Sequence, residues 1–162
     1  PLAAYVAALH DPRQNAAYAR AGTARLPRRV DHVLERCGCV ECNVCVTVCP
    51  NDAFFTLPTP AGMEIAGSRQ YLLLAELCNE CGNCMVFCPE RGDPAAVKPA
   101  LFLDPGRFSV GDRAGFLLGG AGGRVPVRPS PGLEADADRL AEILNAPEGL
   151  PLDPADLVSA EG

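Results

Sequence analysis

The apolar residues of this chain fall in short runs that glycine, proline and polar residues separate. Runs at residues 52–57, 69–74 and 100–103 are rich in strand-forming residues and are bounded by turn signals, so we expect β-strands there. The glycine-rich stretch between two further runs, 116–118 and 124–127, predicts a hairpin turn or a flexible loop. The pattern therefore predicts short elements joined by many turns.

A helical spacing of apolar residues occurs near the C-terminus, and it predicts a surface helix over residues 133–145. The apolar positions are Leu133, Ala137, Leu140, Ile143 and Leu144. A short helical stretch through Leu9 is also expected. The Arg-rich run 13–29 and the tail 151–162 lack any such period, so we expect both to be irregular.

Composition predicts a small apolar core. The 162 residues include no tryptophan and only 6% aromatic residues, whereas glycine and proline contribute 16 residues each. Small domains with little apolar burial usually need disulfides or metal, and nine cysteines could provide either. We expect metal to supply much of the folding free energy, so that its removal unfolds residues 37–104 together with the helix over 133–145.

Charge and hydropathy narrow the possible partners. The net charge is −6, and residues 133–162 carry eight acidic groups against Arg139, which argues against nucleic acid as a partner. No run approaches the roughly 20 apolar residues of a membrane-spanning helix, and no signal peptide is recognisable. We expect a cytoplasmic location. The chain begins with Pro1 rather than Met, which indicates processing or a piece of a longer protein.

The strongest signal is the run C-x2-C-x2-C-x3-C-P, which occurs twice. Residues 39–50 align with residues 78–89 at an offset of 39, and the identical positions are four cysteines, one glutamate and one proline. The first run contains Cys39, Cys42, Cys45 and Cys49, and the second contains Cys78, Cys81, Cys84 and Cys88.

This spacing predicts two [4Fe–4S] clusters. Three cysteines with two residues between neighbours can wrap around three corners of a cubane, and in two-cluster ferredoxins the fourth cysteine ligates the other cluster. On that rule, one cluster is held by Cys39, Cys42, Cys45 and Cys88. The other is held by Cys78, Cys81, Cys84 and Cys49.

The residues between the ligands are mostly apolar, and we expect them to form a jacket that limits water access to the clusters. They are Val40, Val44, Val46, Val48, Met85, Val86 and Phe87. Gly82 allows a backbone turn that a side chain would hinder.

Zinc and disulfides are the alternative uses of these cysteines. Structural zinc takes four ligands, usually as two separated pairs, and a disulfide framework suits a short secreted chain, so neither matches this spacing. Cys37 lies outside both runs, where we expect a shielded thiol rather than a ligand. We expect His10 and His32 to be surface or packing residues.

A glycine run at residues 119–123 could suggest a dinucleotide site. It lacks the G-x-G-x-x-G spacing, and Pro126 and Pro129 follow too closely for a helix.

The double run resembles the bacterial two-[4Fe–4S] ferredoxins over about residues 37–104. The stretches CPNDAFFTL, at 49–57, and CNECGNCMVFCPERGDP, at 78–94, are similar to the C-terminal ferredoxin region of proteins named selenate reductase subunits. Those proteins are related to the flavin-containing small subunit of glutamate synthase. The resemblance implies a flavin- and pyridine-nucleotide-type module before the ferredoxin region.

We therefore expect an α+β fold in three parts: a lead-in or docking segment at 1–36, a two-cluster ferredoxin-type domain at 37–104, and an extension at 105–162 with a turn-rich hairpin and one short helix. The expected function is electron transfer within a larger, flavin-dependent oxidoreductase. Its partner would be a flavin- or pyridine-nucleotide-dependent redox module, with no substrate-transforming site in this chain. The alternative is an iron–sulfur sensor or structural module.

Overall fold

The computed structural model describes residues 2–9, 29–119 and 125–150. The predictions for His10, most of the Arg-rich run, the glycine-rich turn and the C-terminal tail lie outside these residues. The elements are α1 (Leu2–Leu9), α2 (Val44–Thr47), β1 (Phe54–Pro58), β2 (Arg69–Leu74), a 3₁₀ turn (Ala75–Leu77), α3 (Asn83–Phe87), α4 (Pro94–Val97), β3 (Ala100–Phe102), α5 (Pro105–Val110), β4 (Phe116–Leu118), β5 (Val127–Pro129) and α6 (Glu134–Leu144).

The five strands form one mixed sheet in the order β1-β2-β3-β4-β5. The outer pairs, β1 with β2 and β4 with β5, are antiparallel, and the inner pairs are parallel. Each parallel pair needs a crossover. The first crossover, residues 75–99, contains the second cysteine run, so the sheet topology itself returns that run to one side of the sheet.

The strands alternate their side chains between two faces of the sheet, as the pleat requires. One face packs against α6 in what we call the helix-side core. Leu72, Leu101 and Phe116 from the central strands meet Leu140 and Ile143 of the helix there, and all five are at most 3% exposed. The apolar spacing of α6 is therefore satisfied by the sheet.

The opposite face packs against the cysteine-bearing segments in what we call the cysteine-side core. Leu73, Phe102 and Leu117 alternate with the residues of the helix-side core and are buried with Phe54 and Cys84. The helices of this layer are short: α2 and α3 each contain one cysteine of a run, and α5 packs Phe108 edge-on against Phe102. The molecule thus has three layers, with the sheet between α6 and the cysteines.

Strand and helix predictions match the structure closely. The run 69–74 is β2, α1 ends at Leu9, and α6 lies within 133–145. Of the two runs beside the glycine stretch, 116–118 is β4, whereas its antiparallel partner β5 begins only at Val127, the last residue of the run 124–127. The prediction missed α2 to α5, because segments of four to six residues are too short for a helical period to emerge. Within the described residues 105–119 and 125–150, the extension therefore has two helices instead of one.

The prediction of a small core is wrong on the helix side. That core contains no cysteine, and it joins β1, β2, β3, β4 and α6 through leucine, isoleucine and phenylalanine side chains. Composition underestimated it because aromatic content is low, whereas the strands are rich in leucine. The sheet also continues across residue 104, since β4 pairs with β3.

Close approach of the backbone explains one glycine at the start of β4. A Cβ atom at Gly115 would lie 2.4 Å from the carbonyl oxygen of Ala100 and 2.6 Å from the ring of Phe102. Both partners belong to the neighbouring strand, so any side chain here would push β3 and β4 apart.

Removal of metal should therefore leave part of the fold intact. We expect the apo protein to keep hydrogen-exchange protection in β2, β3, β4 and α6 while residues 39–50 and 78–88 lose theirs. Leu140→Ala should lower the free energy of unfolding of the apo protein by about 2–5 kcal/mol, and the exposed Glu142→Ala should change it by less than about 0.5 kcal/mol. Loss of hydrogen-exchange protection in all strands after the metal is removed with a chelator would contradict the division into a metal-independent helix-side core and a cysteine-side core.

Candidate metal centre

Four cysteines from both runs surround one small open cavity, the first cysteine cavity. They are Cys39, Cys42, Cys45 and Cys88. The remaining lining residues include Leu34, Tyr71 and Pro94, which are buried, so most of the wall behind the sulfurs is apolar. The structure thus brings Cys88, from the second run, to the three leading cysteines of the first.

The other four cysteines surround a second small open cavity, the second cysteine cavity. They are Cys49, Cys78, Cys81 and Cys84. Phe54 and Ala95 complete the apolar part of the wall. The two cavities therefore have the same composition of sulfurs and almost the same size, and each draws one cysteine from the run that mainly lines the other.

The two runs repeat in backbone conformation as well as in sequence. Glu41 and Asn43 flank Cys42 with φ angles of 50° and 61°, and Glu80 and Gly82 flank Cys81 with φ angles of 57° and 77°. Left-handed backbone on both sides of the middle cysteine turns the loop sharply and leaves Cys42 and Cys81 exposed. Such conformations are uncommon for residues other than glycine and persist where the surroundings enforce them.

The shared glutamate of the repeat provides that enforcement in the first run. The Glu41 carboxylate accepts hydrogen bonds from the Ser68 hydroxyl at 2.8 Å and from the Arg69 amide at 3.1 Å. Those bonds hold its pKa below the usual range. In the second run, Glu80 instead accepts from the Arg113 guanidinium at 2.8 Å. Each ligand loop is thus anchored to a later segment by the equivalent glutamate.

Backbone amides lie near several of the sulfurs. In the first cavity, the effect of burial on Cys39, Cys45 and Cys88 is partly offset, because the nearby amides of Glu41, Val46 and Glu90 lower the pKa values of these thiols. In the second cavity, the Ala53 amide donates a hydrogen bond to Cys49 Sγ at 3.3 Å, and the nearby amides of Ala95 and Met85 partly offset the effect of burial on the pKa of Cys84. Amide–sulfur hydrogen bonds stabilise thiolates and are a main determinant of cluster potential.

Burial opposes ionisation of these thiols. Desolvation raises the pKa of Cys45 to about 12 and that of Cys84 to about 11. It also raises the pKa values of Cys39 and Cys88. These four thiols therefore keep their protons at neutral pH until a metal displaces them, and ligation releases protons.

One buried or partly buried cation lies beside each cavity. The Lys98 side chain lines the first cavity, and its ammonium donates to the carbonyl oxygens of Glu35 at 2.7 Å and Gly38 at 2.8 Å. Arg113 lies beside the second cavity, where its Nη2 is 3.6 Å from Cys78 Sγ. Sequence reasoning missed both, because neither is near a cysteine in the chain.

The segment 29–36, predicted as a lead-in, forms part of the first cavity. Its backbone bonds to the stretch after Cys88, with the Leu34 amide donating to Arg91 at 2.9 Å, and the Leu34 side chain lines the cavity. Arg29 donates to the carbonyl oxygen of Cys88 at 2.7 Å. His32, half-exposed as predicted for a surface residue, pairs with the buried carboxylate of Glu90.

The predicted apolar jacket is wrong for four of its residues. Val40, Met85, Val86 and Phe87 are 46–49% exposed and line neither cavity. The short helix α3 directs only Cys84 inward, so its three following side chains lie on the outer surface. The walls are formed instead by residues distant in sequence, such as Leu34 and Phe54.

The donor set fits an iron–sulfur cluster in each cavity. Four thiols spread around a space hold a group larger than one ion, and within the described residues no three ligand-type side chains converge on a single metal ion. The Nη1 atom of Arg113 is buried without a hydrogen-bond partner. The Lys98 ammonium has only neutral carbonyl partners. Bound anionic groups would give the Lys98 ammonium a counter-charge and would supply an acceptor for Arg113 Nη1, while Arg113 Nη2 already pairs with Glu80.

Comparison with known proteins agrees with this chemistry. The profile of the 4Fe-4S dicluster domain matches residues 38–92. A protein of Escherichia coli strain K12 named "Putative oxidoreductase YgfK" is 39% identical over 88 residues, which are 52% of this chain and 8% of that protein. Its counterpart in E. coli O157:H7 matches to the same extent. No solved structure matches.

The match over residues 38–92, together with the mixed helices and strands, confirms the predicted ferredoxin-type α+β fold and the predicted iron–sulfur chemistry. The domain and the oxidoreductase relative support iron–sulfur electron transfer. The chain spans about a twelfth of the relatives that it matches. Among the described residues, no helix is long and apolar enough to cross a membrane.

Crossed ligation predicts which cluster each variant loses. Cys49→Ala should remove the cluster of the second cavity and spare that of the first, and Cys88→Ala should do the reverse. Iron analysis should find about half the iron in each variant. Combining Cys49→Ala with Cys81→Ala should remove no more iron than either alone, whereas Cys49→Ala with Cys42→Ala should remove nearly all. The opposite pattern would show that each run holds its own cluster.

Cys37 should be dispensable for both clusters. It is half-buried and lines neither cavity, and burial, followed by the nearby Asp136 carboxylate, raises the pKa of its thiol. Cys37→Ser should retain the full iron content and the visible absorption of the parent. Loss of about half the iron would identify Cys37 as a ligand, and Cys39→Ser provides the matched positive control.

Proposed function

We propose that this chain binds two [4Fe–4S] clusters and carries electrons between them as part of a larger oxidoreductase. The proposed ligands are Cys39, Cys42, Cys45 and Cys88 for one cluster, and Cys49, Cys78, Cys81 and Cys84 for the other. Each cluster, when bound, takes up and releases one electron at a time.

The observation that carries this proposal is the single helical turn that connects the cavities. Cys84 lines the second cavity and Cys88 the first, and the Cys88 amide donates to the Cys84 carbonyl oxygen at 3.0 Å. The four residues from Cys84 to Cys88 advance about 6 Å along the helix axis. A path this short favours rapid electron transfer, because tunnelling falls steeply with distance.

Exposure at the outer ends of the cavities supports a route through the domain. The middle cysteine of each run, Cys42 and Cys81, is exposed, whereas Cys84 and Cys88 between the cavities are buried. An electron could therefore enter at one exposed loop, pass the buried turn and leave at the other. A cluster that served only to hold the fold would need no exposed edge.

The larger context is inferred from the relatives. We infer a flavin- or pyridine-nucleotide-dependent module as electron donor, because the cysteine runs resemble the ferredoxin region of selenate reductase-type subunits and because the matched E. coli protein is named an oxidoreductase. Cluster assembly needs free thiols, and all nine cysteines are unpaired, which supports the cytoplasm as the location.

Anaerobic reduction tests the proposal. We expect about eight Fe and eight sulfide per chain, as two four-iron clusters require, with uptake of about two electrons from dithionite and their quantitative release to a dye acceptor. Four Fe per chain, or stoichiometric zinc, would contradict the two-cluster assignment. Eight Fe with no reversible reduction would instead favour the structural module.

A further inference from the structure

We propose that Arg113 is a positioning residue that raises the reduction potential of the second cluster, the one expected in the second cysteine cavity. This inference rests on the proposed function. It places a determinant of the reduction potential outside the dicluster domain, because Arg113 lies 21 residues beyond the last residue of the family match at 38–92.

The Arg113 guanidinium is held firmly against the cavity. Its Nη2 contacts both Cys78 Sγ at 3.6 Å and Glu80 Oε1 at 2.8 Å, so it spans the first residues of the second run. Its side chain is only 18% exposed. The loop between α5 and β4 supplies it, and β4 fixes that loop by pairing with β3.

The remaining nitrogen has no protein partner. Nη1 is buried without a hydrogen bond in the residues that the structure describes. An unsatisfied buried donor on a charged group is costly. A cluster sulfur or thiolate at this edge of the cavity would supply the missing acceptor.

Carboxylates near the second cavity should lower the reduction potential of the second cluster, opposite to the effect of Arg113. Asp93 Oδ1 lies 3.8 Å from Cys84 Sγ, and Asp112 and Glu80 line the neighbouring open cleft together with Arg113. The Glu80 side chain is 74% exposed, so solvent screens the charge of its carboxylate more strongly than the charge of the Arg113 guanidinium. Arg113 is therefore the cation that offsets Asp93 at the sulfurs.

The sign of the effect follows from the charge change on reduction. Each reduction step adds one electron to a cluster, breaks no bond and moves no proton. A nearby cation stabilises the more negative, reduced form, and a carboxylate destabilises it. Loss of Arg113 should lower the potential of the second cluster, whereas loss of the Asp93 charge should raise it.

The test is an anaerobic redox titration of the full chain, with dithionite and viologen mediators, followed by electron paramagnetic resonance. Arg113→Gln should shift one of the two reduction steps to lower potential by about tenfold in its equilibrium constant, about 59 mV for one electron. Asp93→Asn should shift the same step upward, and asparagine can still cap α4. Arg113→Lys should restore part of the shift.

Two further variants identify the step and control for surface charge. Cys81→Ala should abolish the step that Arg113→Gln moves, which assigns that step to the second cluster. Arg107→Gln removes an exposed arginine that lines a small neighbouring cavity with Arg113 and Cys78, and it should move neither step.

The outcomes separate this inference from the proposed function. Full iron content with both steps unmoved in Arg113→Gln, or with both moved equally, would overturn the role of Arg113 and leave the two-cluster assignment standing. Absence of two reducible clusters in the parent chain would overturn the proposed function itself. If Arg113→Gln loses iron, a full iron content with unshifted steps in Asp93→Asn would also overturn the inference.

Discussion

One helical turn determines how the rest of this molecule is arranged. Cys84 and Cys88 are joined by an amide-to-carbonyl hydrogen bond of 3.0 Å, yet they face different cavities. Because the chain around Cys45 and Cys49 makes the same division, neither run can complete a cavity without the other. The crossover after β2 has to return the second run to the first, and the sheet provides the surface on which both runs meet.

The two faces of the sheet are stabilised in different ways. Its helix-side face is closed by α6 through hydrophobic burial, which needs no metal. Its other face carries the cysteines, where burial alone leaves thiols with raised pKa values and leaves Arg113 Nη1 without a hydrogen-bond acceptor among the described residues. Adjacent residues such as Leu72 and Leu73 belong to different cores. We therefore expect the helix-side core to stay folded when no metal is bound on the other face.

Much of this could be predicted from the sequence, and the failures have physical causes. The helix α6 carries a clear period of 3.6, β2 is a short run of strand-forming residues between turn signals, and the spacing of the cysteines indicated the groups that the structure brings together. Arg113, Lys98 and Leu34 carry no local pattern, because their roles depend on contacts made across many residues of chain. The exposed surface of α3 was misjudged for a related reason: an apolar residue between ligands need not face the ligands.

The anchoring glutamates have a consequence for synthesis on the ribosome. Glu41 meets its partners 27 and 28 residues later, and Glu80 meets Arg113 33 residues later. The first cavity is complete only when Cys88 and Lys98, which also line it, have been synthesised. A nascent chain that has emerged only through the second cysteine run therefore has the partners of Glu41 but lacks Arg113, the partner of Glu80. The loop of the first run can be anchored before the loop of the second run, which waits for the segment between α5 and β4 to emerge.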